Sequence, residues 1–191
     1  MEADRIKWNQ RYSGEEYLMG LLPSRFLTER IEQIKTLCPG SRALDIACGE
    51  GRNSIFLAHN GFQVTAVDIS DEGLKKGRRR MRDEGVSVNF SAVDLEGYDI
   101  VRQYDLIINL NFLLRELIPK EVTALNQDGL ILLETILDSP KLPGIHTRRY
   151  LLQPGELRRL FNREPGTILE YDEFPDNATP TARILFQKRL P

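Results

Sequence analysis

Cysteine is scarce in this sequence, and long apolar runs are missing. The two cysteines, Cys38 and Cys48, are too few for a disulfide framework, and no Cys/His spacing is typical of a zinc site. We therefore expect no bound metal and a reducing, cytoplasmic environment. No apolar run approaches the roughly 20 residues that span a bilayer, and the charged opening MEADR lacks the apolar core of a signal peptide. These absences argue against a membrane partner and against a secreted, disulfide-linked protein.

The sequence also lacks an excess of charge of one sign. Lysine and arginine number 26, aspartate and glutamate number 28, and the net charge is −2. Proteins that bind nucleic acids usually carry a basic excess that displaces counterions, so we expect no nucleic-acid partner. The basic cluster at residues 75–82 has acidic neighbours on both sides, and Leu74 and Met81 recur there at helical spacing. This pattern favours the solvated face of an amphipathic helix over a nucleic-acid patch.

The chain does contain an alternation of apolar, β-rich segments with helical ones, within a length of 191 residues that suits one domain. The alternation predicts an α/β fold, with a seven-stranded, mostly parallel sheet, helices on both faces and a C-terminal antiparallel hairpin. The predicted strands are residues 43–48, 63–69, 87–95, 104–110, 129–137, 167–174 and 182–189. The predicted helices are residues 52–60, 71–84 and about 119–126, with another near Pro154 that has the proline in its first turn.

A glycine loop follows the first predicted strand. The segment DIACGEGRN, residues 45–53, runs from a strand through Gly49 and Gly51 into a helix. Glycines there let the backbone approach a ligand, and the amides at the helix start favour a carboxylate or a phosphate. Asp68 stands nineteen residues after Gly49, at the end of the second strand, where an acidic side chain accepts hydrogen bonds from ribose hydroxyls. The segment therefore predicts a nucleoside-containing ligand.

Two details weigh against a dinucleotide as that ligand. The third glycine of the dinucleotide fingerprint would fall at Ser54 and is absent, and the chain is too short for a separate substrate domain. Asp45, four residues before Gly49, would repel a pyrophosphate but favour a cationic amino-acid group. A dehydrogenase-like nucleotide-binding domain stays open as a disfavoured alternative.

The loop DIACGEG resembles the Asp/Glu-x-Gly/Ala-x-Gly-x-Gly pattern of class I S-adenosylmethionine-dependent methyltransferases. The resemblance implies a Rossmann-like fold, with Asp68 on the ribose, Asp94 and Leu95 at the adenine, and Asn109 at the methionine end. The cofactor-binding residues that it implies in the core are Asp45, Ala47, Cys48, Gly49, Gly51, Asn53, Asp68, Ile69, Asp94, Leu95 and Asn109.

The N-terminal run WNQRY at residues 8–12, together with CGEGRNSIFLAHNGFQVTAVDIS, is similar to bacterial TehB-like methyltransferases of tellurite resistance. This resemblance implies one domain over residues 1–191, with a helical lid at 1–38, a cofactor core at 41–137 and an acceptor side at 138–191. It implies that Arg11, Tyr12 and Tyr17 approach the methionine end of the cofactor. It also implies tellurite, selenium species or small thiols as methyl acceptors. An alternative is that Trp8 and Tyr12 only pack the N-terminal helix on the surface.

The acceptor side of the chain carries a basic loop. Arg115, Arg148 and Arg149 are candidates for orienting an anionic acceptor, and Tyr150 or His146 for accepting its proton. Segments that polarise a target amine, such as Asn-Pro-Pro-Tyr, and a nucleophilic cysteine after proline are absent. We therefore expect a small-molecule acceptor. Three alternatives stay open: the acceptor atom is an oxygen or a nitrogen, the basic loop is only solvated, or the protein binds S-adenosylmethionine or its product S-adenosylhomocysteine without catalysis. The sequence is compatible with a monomer and with a homodimer.

Overall fold

A computed structural model describes residues 2–140, 142 and 148–189. The strands are β1 Arg42–Ile46, β2 Gln63–Asp68, β3 Val88–Ala92, β4 Tyr104–Leu110, β5 Leu125–Ile136, β6 Gly166–Phe174 and β7 Thr181–Lys188. The helices are α1 Glu2–Tyr12, α2 Arg25–Leu37, α3 Arg52–His59, α4 Asp71–Asp83, α5 Ile118–Thr123 and α6 Glu156–Phe161. Short 3-10 turns span Arg115–Leu117 and Arg148–Tyr150.

The seven strands form one sheet in the order β3-β2-β1-β4-β5-β7-β6. The strands β1 to β5 pair in parallel, and β7 runs antiparallel to both of its neighbours, β5 and β6. The predicted sheet and its C-terminal hairpin are therefore confirmed. The carboxyl ends of β1, β2, β4 and β5 meet at one edge, where ligands bind in open parallel sheets.

Each face of the sheet carries its own apolar core. One face packs against α2, α3 and α4 through side chains such as Phe26, Ile55 and Leu74. The other face packs against α5 and α6 through side chains such as Val122 and Phe161. Because successive strand residues point to opposite faces, the fully buried β4 must be apolar almost throughout. Asp105 near its start and Asn109 near its carboxyl end are the polar exceptions.

Several predicted boundaries are wrong, including the start of β5, which lies at Leu125 rather than at residue 129. The strand β3 ends at Ala92, so Asp94 and Leu95 lie in the loop beyond it rather than at its end. The helix predicted over 119–126 stops at Thr123, because the chain pairs with Tyr104 of β4 from Leu125 onward. The helix near Pro154 begins only at Glu156, after Gly155 at its N-cap in the left-handed region, so the proline precedes the first turn.

The N-terminal helix α1 lies across the start of α4. Arg5 and Asp71 form an ion pair at 3.6 Å, and the Asn9 Oδ1 atom accepts from the Ser70 hydroxyl at 2.7 Å. These contacts place α1 over the carboxyl end of β2. Among the described helices, none has the length and apolar character that crossing a membrane requires.

Candidate active site

The loop between β1 and α3 turns tightly because several of its residues have positive φ angles. Gly49 and Gly51 have φ values of 56° and 77°, and Ala47 takes 52° despite its side chain. The Gly51 amide closes the turn by donating to the Cys48 carbonyl at 3.0 Å, and the Cys48 amide donates to Val67 of β2 at 3.0 Å. A Cβ atom on Gly51 would lie 2.7 Å from the Phe90 ring. Glycine is therefore required at position 51 for both its conformation and its size.

Replacement of Gly51 by alanine should lower the free energy of unfolding by about 2 kcal/mol, from the left-handed backbone and the contact with Phe90. Gly61 is the matched control, since it has a φ of 87° but no atom within 4 Å of an added Cβ. Gly61→Ala should cost about 1 kcal/mol, the backbone contribution alone. Urea denaturation of both variants measures the difference, and equal losses would contradict the steric contribution of Phe90.

Asp68 ends β2 directly beneath this loop. Its Oδ2 atom accepts from the Gly49 amide and its Oδ1 atom from the Ser70 amide, each at 2.8 Å. Only 6% of the residue is exposed. Burial raises the pKa of the carboxyl, and the backbone amides of Ser70, Gly49 and Ile69 lower it in part. Each carboxylate oxygen keeps a further lone pair, so the group can accept hydrogen bonds from a pair of ligand hydroxyls.

A cleft of about 290 Å³ opens beside Asp68, at the ends of β2 and β3. It brings together the predicted residues Ile69 and Asp94 with the first turns of α1, and its lining residues are Glu2, Arg5, Ile69, Asp71, Ala92, Val93 and Asp94. Asp94 is exposed, and its Oδ1 atom accepts from the Glu96 amide at 3.0 Å. Leu95, the next residue along the chain, is buried, with 6% of its surface exposed. The cleft therefore combines an apolar floor with an acidic rim.

Asp45 lies inside the sheet rather than on the surface of the cleft. The residue is 1% exposed, and its Oδ2 atom accepts from the Ser54 hydroxyl at 2.5 Å. Burial raises the pKa of Asp45 to about 7, against the lowering effect of the Ser54 bond. Ser54, at the place of the missing third glycine, thus holds the carboxyl under the loop. Sequence reasoning gave Ser54 no role, although its spacing of nine residues from Asp45 fits a strand-to-helix contact.

The helix α1 inserts one aromatic side chain at the glycine loop. Tyr12 is buried, and its hydroxyl oxygen lies 2.7 Å from the position of a Cβ on Gly49. Burial raises the pKa of the Tyr12 phenol. Trp8 stacks on Tyr12 with ring centroids 5.6 Å apart, and the exposed Arg11 guanidinium lies 4.8 Å from the Trp8 ring. Tyr12 thus both packs the helix and reaches the loop, whereas Arg11 stays on the outer side.

The linker at residues 13–24 is held by side chains of the glycine loop and of the helices α3 and α4 beside it. The buried Glu50 carboxylate accepts from the Leu18 amide and from Lys76 Nζ, each at 2.8 Å. Lys76 lies 5.4 Å from the ring of the half-buried Tyr17. Asn53 Oδ1 accepts from the Ser24 amide at 2.8 Å. The loop that would hold a ligand therefore also holds the linker that covers it, and Asn53 binds the linker.

Arg52 completes this attachment. Its Nη1 atom donates to the carbonyls of Met19 and Leu22 at 3.2 and 3.0 Å. Burial lowers the pKa of Arg52, and the charges of Asp45, Tyr12 and Glu134 raise it in part. The roles of Glu50 and Arg52 were missed from the sequence, because their partners lie about 30 residues earlier and carry no local pattern.

Asn109 forms a buried pair with Glu121 of α5. The Asn109 Nδ2 atom donates to Glu121 Oε1 at 2.9 Å, and Glu121 is 0% exposed. Burial raises the pKa of Glu121 to about 7. Within the described chain, Asn109 Oδ1 and Glu121 Oε2 are left without a hydrogen-bond partner. A neutral, protonated Glu121 would have a donor to offer, so this pair is most stable with the carboxyl protonated.

The predicted acceptor-side residues lie around the turn Arg148–Tyr150. Arg115 makes a bidentate ion pair with Glu156, at 2.6 and 2.9 Å, and donates to the carbonyls of Arg149 and Leu151. Arg149 pairs with Glu96 at 3.2 Å, and Arg148 is exposed. Tyr150 is half-buried, and burial raises its pKa. His146 lies outside the described residues. The guanidinium of Arg115 is thus bonded on all sides within the protein.

Among residues 2–140, 142 and 148–189, no three His, Cys, Asp or Glu side chains converge as the ligands of a metal ion would. The structure instead brings together a glycine loop, a buried acid at the end of β2, a cleft at the ends of β2 and β3, and a covering segment.

Comparison with known proteins gives one family, described as "Tellurite resistance protein TehB", which matches residues 10–176. The "Probable S-adenosyl-L-methionine-dependent methyltransferase TehB" of Haemophilus influenzae is 24% identical over 150 residues, covering 75% of this chain and 51% of that protein. The "Ubiquinone biosynthesis O-methyltransferase" of Bordetella avium is 27% identical over 174 residues, covering 79% and 71%. This chain spans about half the length of the curated TehB relatives that it matches.

Solved structures share the fold at low sequence identity. TehB from Haemophilus influenzae has a TM-score of 0.71 at 21% identity, covering 85% of this chain and 62% of that chain. The N-methyltransferase NodS from Bradyrhizobium japonicum, in complex with S-adenosylhomocysteine, has a TM-score of 0.71 at 18% identity, covering 96% and 97%. These likenesses confirm the predicted Rossmann-like fold.

Proposed function

Because the chain belongs to the TehB family, by a match over residues 10–176, we propose that it transfers a methyl group from S-adenosylmethionine to a small acceptor. The observation that carries this proposal is the Asp68 carboxylate, held by the amides of Gly49 and Ser70 beside the cleft at the end of β2. A carboxylate in that place accepts the two ribose hydroxyls of an adenosyl group. The named relatives from Haemophilus and Bordetella, both methyltransferases, support the same activity.

The residues beside the cleft suit the adenosyl part of this cofactor, and the position of the glycine loop supports the placement of its methionine part. We assign the adenine to the cleft between Ile69 and Asp94, over Leu95, and the ribose to Asp68. The methionine end then lies over the loop from Ala47 to Gly51, between Tyr12 and the Asn109 end of β4. Asp45 at the end of β1 and Cys48 in the loop act from beneath as buried groups.

The bound cofactor supplies an activated methyl group on a positively charged sulfur, so the protein mainly has to align the acceptor and exclude water. The linker at residues 13–24, fastened by Glu50, Arg52 and Asn53, performs the second task. The turn Arg148–Tyr150 borders the acceptor side, where Arg148 and Arg149 attract an anionic part of the acceptor. Arg115 acts as the clamp that holds this turn to α6 through Glu156.

For the acceptor we propose a soft nucleophile, a small thiol or a chalcogen oxyanion such as tellurite or a selenium species. The TehB relatives support this class by their family description. Methylation of an oxygen is the second candidate, favoured by the relatives named ubiquinone biosynthesis O-methyltransferases.

The proposal is tested by calorimetric titration of the protein with S-adenosylmethionine, S-adenosylhomocysteine and NAD, followed by a panel of acceptors with radiolabelled methyl donor. We expect micromolar binding of the first two compounds, no binding of NAD, and label transfer to thiols or to tellurite. Binding of NAD alone would overturn the cofactor assignment. Binding of S-adenosylmethionine without transfer to any thiol, oxyanion, phenol or amine would favour a binding protein without catalysis.

A further inference from the structure

Glu134 lies at the carboxyl end of β5, on the acceptor side of the sheet edge. It pairs in register with Leu110, one position beyond the pair of Asn109 and Leu133. Its neighbours Leu133 and Thr135 point to the α5 face, so the Glu134 side chain points to the α2 and α3 face, as Asp45 does. Strands lie about 4.8 Å apart, which places Glu134 about 10 Å from β1 and its loop.

The carboxylate of Glu134 differs from the acids around it. Arg183 of β7 pairs in register with Glu134. The Arg183 guanidinium forms ion pairs with Asp172 at 3.1 Å, Glu170 at 3.2 Å and Glu29 at 3.8 Å. Glu134 is half-buried, yet within the part of the chain that the structure describes its carboxylate has no ion pair within 4.0 Å and no hydrogen bond. A half-buried carboxylate at a strand end that accepts no hydrogen bond from the described residues can accept one from a ligand.

The charged groups that face Glu134 come from three elements, namely Arg183 of β7, Glu29 of α2 and Arg52 of α3. The pKa of Glu134 is raised overall, and burial is the largest cause. Arg183 and Arg52 lower the pKa in part, whereas Glu29 raises it further. The carboxylate is therefore a better proton acceptor than an exposed glutamate.

Arg52 connects this carboxylate to the cofactor loop. Burial lowers the pKa of Arg52, and the charges of Asp45, Tyr12 and Glu134 all raise it in part. The Arg52 guanidinium also donates hydrogen bonds to the linker carbonyls of Met19 and Leu22. Arg52 therefore lies between the environment of Glu134 and the linker that covers the loop.

Resting on the proposed function, we infer that Glu134 is the catalytic residue that takes the proton from the methyl acceptor. The X–H bond of the acceptor breaks and its proton moves to the Glu134 carboxylate. The electron pair of X forms the bond to the methyl carbon, and the pair of the methyl–sulfur bond stays on sulfur. The substrate class that fits this chemistry is a neutral acceptor with a removable proton, such as an un-ionised thiol, rather than an oxyanion.

Tyr150 is less suited to this step. A phenol accepts a proton only when it is ionised, and burial raises the pKa of Tyr150, which disfavours the ionised form at neutral pH. The ordinary pKa of a glutamate carboxyl lies far below that of a phenol, so Glu134 is the better candidate for the proton acceptor.

The test compares two thiols in the variant Glu134→Gln, which keeps the shape of the side chain but removes the basic carboxylate. The first is 2-mercaptoethanol, protonated at neutral pH, and the second is 4-nitrothiophenol, already ionised. Loss of a general base should lower kcat/KM for 2-mercaptoethanol about 100-fold or more. The rate with 4-nitrothiophenol should stay within about threefold, and its binding to the complex with S-adenosylhomocysteine should tighten, because a negative charge has been removed.

Glu170→Gln is the matched control, since it removes another carboxylate from Arg183 without changing the strand end. This variant should give rates near wild type with both thiols, and thermal unfolding should show that both variants are folded. Equal losses with both thiols in Glu134→Gln would overturn the inference and indicate a structural role. A wild-type enzyme that methylates only ionised acceptors would overturn it while the proposed function stands. Absence of binding of S-adenosylhomocysteine to wild type would contradict the proposed function itself.

Discussion

Replacement of Asp68 by alanine should weaken the binding of S-adenosylmethionine about 10- to 150-fold. Hydrogen bonds to a charged group contribute about 1.5–3 kcal/mol, and about 1.4 kcal/mol corresponds to a tenfold change in affinity. The substitution removes the acceptor of the ribose hydroxyls. It also releases the Gly49 and Ser70 amides, both now bonded to this carboxylate at 2.8 Å, so the loop loses its anchor.

Calorimetric titration with S-adenosylhomocysteine measures this loss without the need for an acceptor. Asp83→Ala is the control, because Asp83 is an exposed acid at the far end of α4 whose nearest cation is Arg79 at 3.9 Å. Its affinity should equal that of wild type. An unchanged affinity in Asp68→Ala would remove the ribose assignment and with it the main support for the proposed cofactor.

Replacement of Glu121 by glutamine should make stability much less dependent on pH. Burial raises the pKa of Glu121 from the ordinary value of 4.5 to about 7 in the folded protein. The unfolded chain therefore loses this proton first as the pH rises. The contribution of Glu121 to stability is complete below about pH 4.5 and falls by about 3 kcal/mol as the pH passes through about 7. Glutamine does not ionise, and its amide can donate to the Asn109 Oδ1 atom that now lacks a partner.

Urea denaturation at about pH 4.5 and about pH 8 measures this effect as a difference between the two proteins. The advantage of Glu121→Gln over wild type should grow by about 3 kcal/mol from the lower to the higher pH. Asp45, with a pKa also near 7, contributes the same trend to both proteins and cancels. Glu116→Gln, at an exposed position of the neighbouring 3-10 turn, should show no such growth. A constant difference would mean that Glu121 titrates at its ordinary pKa.

The fold was largely predictable because its signals are local. The apolar run of β4 can only be a buried strand, and the pattern around Gly49 fixes where β1 turns into α3. The predictions failed where long-range pairing decides the structure. Leu125 joins β5 because Tyr104 lies opposite it, which no property of residues 119–126 reveals.

The site was predictable in its cofactor half and less so in its acceptor half. Asp68 and Gly49 belong to one motif, and the structure joins them by a hydrogen bond, although their contact with a cofactor stays a prediction. Glu134 was missed because a single acid in an apolar strand gives no sequence signal of a site. Only its partial burial, and the lack of a hydrogen bond or ion pair to its carboxylate in the described chain, distinguish it. Arg115 was a candidate for the acceptor because a sequence does not show that Glu156 lies against it.

The position of β7 between β5 and β6 affects how the chain folds while the ribosome is still synthesising it. The residues of β5 from Leu130 to Ile136 pair with β7, whose last residue is Lys188. Until that strand has emerged, β5 presents a row of unpaired backbone groups on a strongly apolar edge, a template for pairing with other nascent chains. Chaperone binding should therefore be strongest late in synthesis and end when β7 enters the sheet.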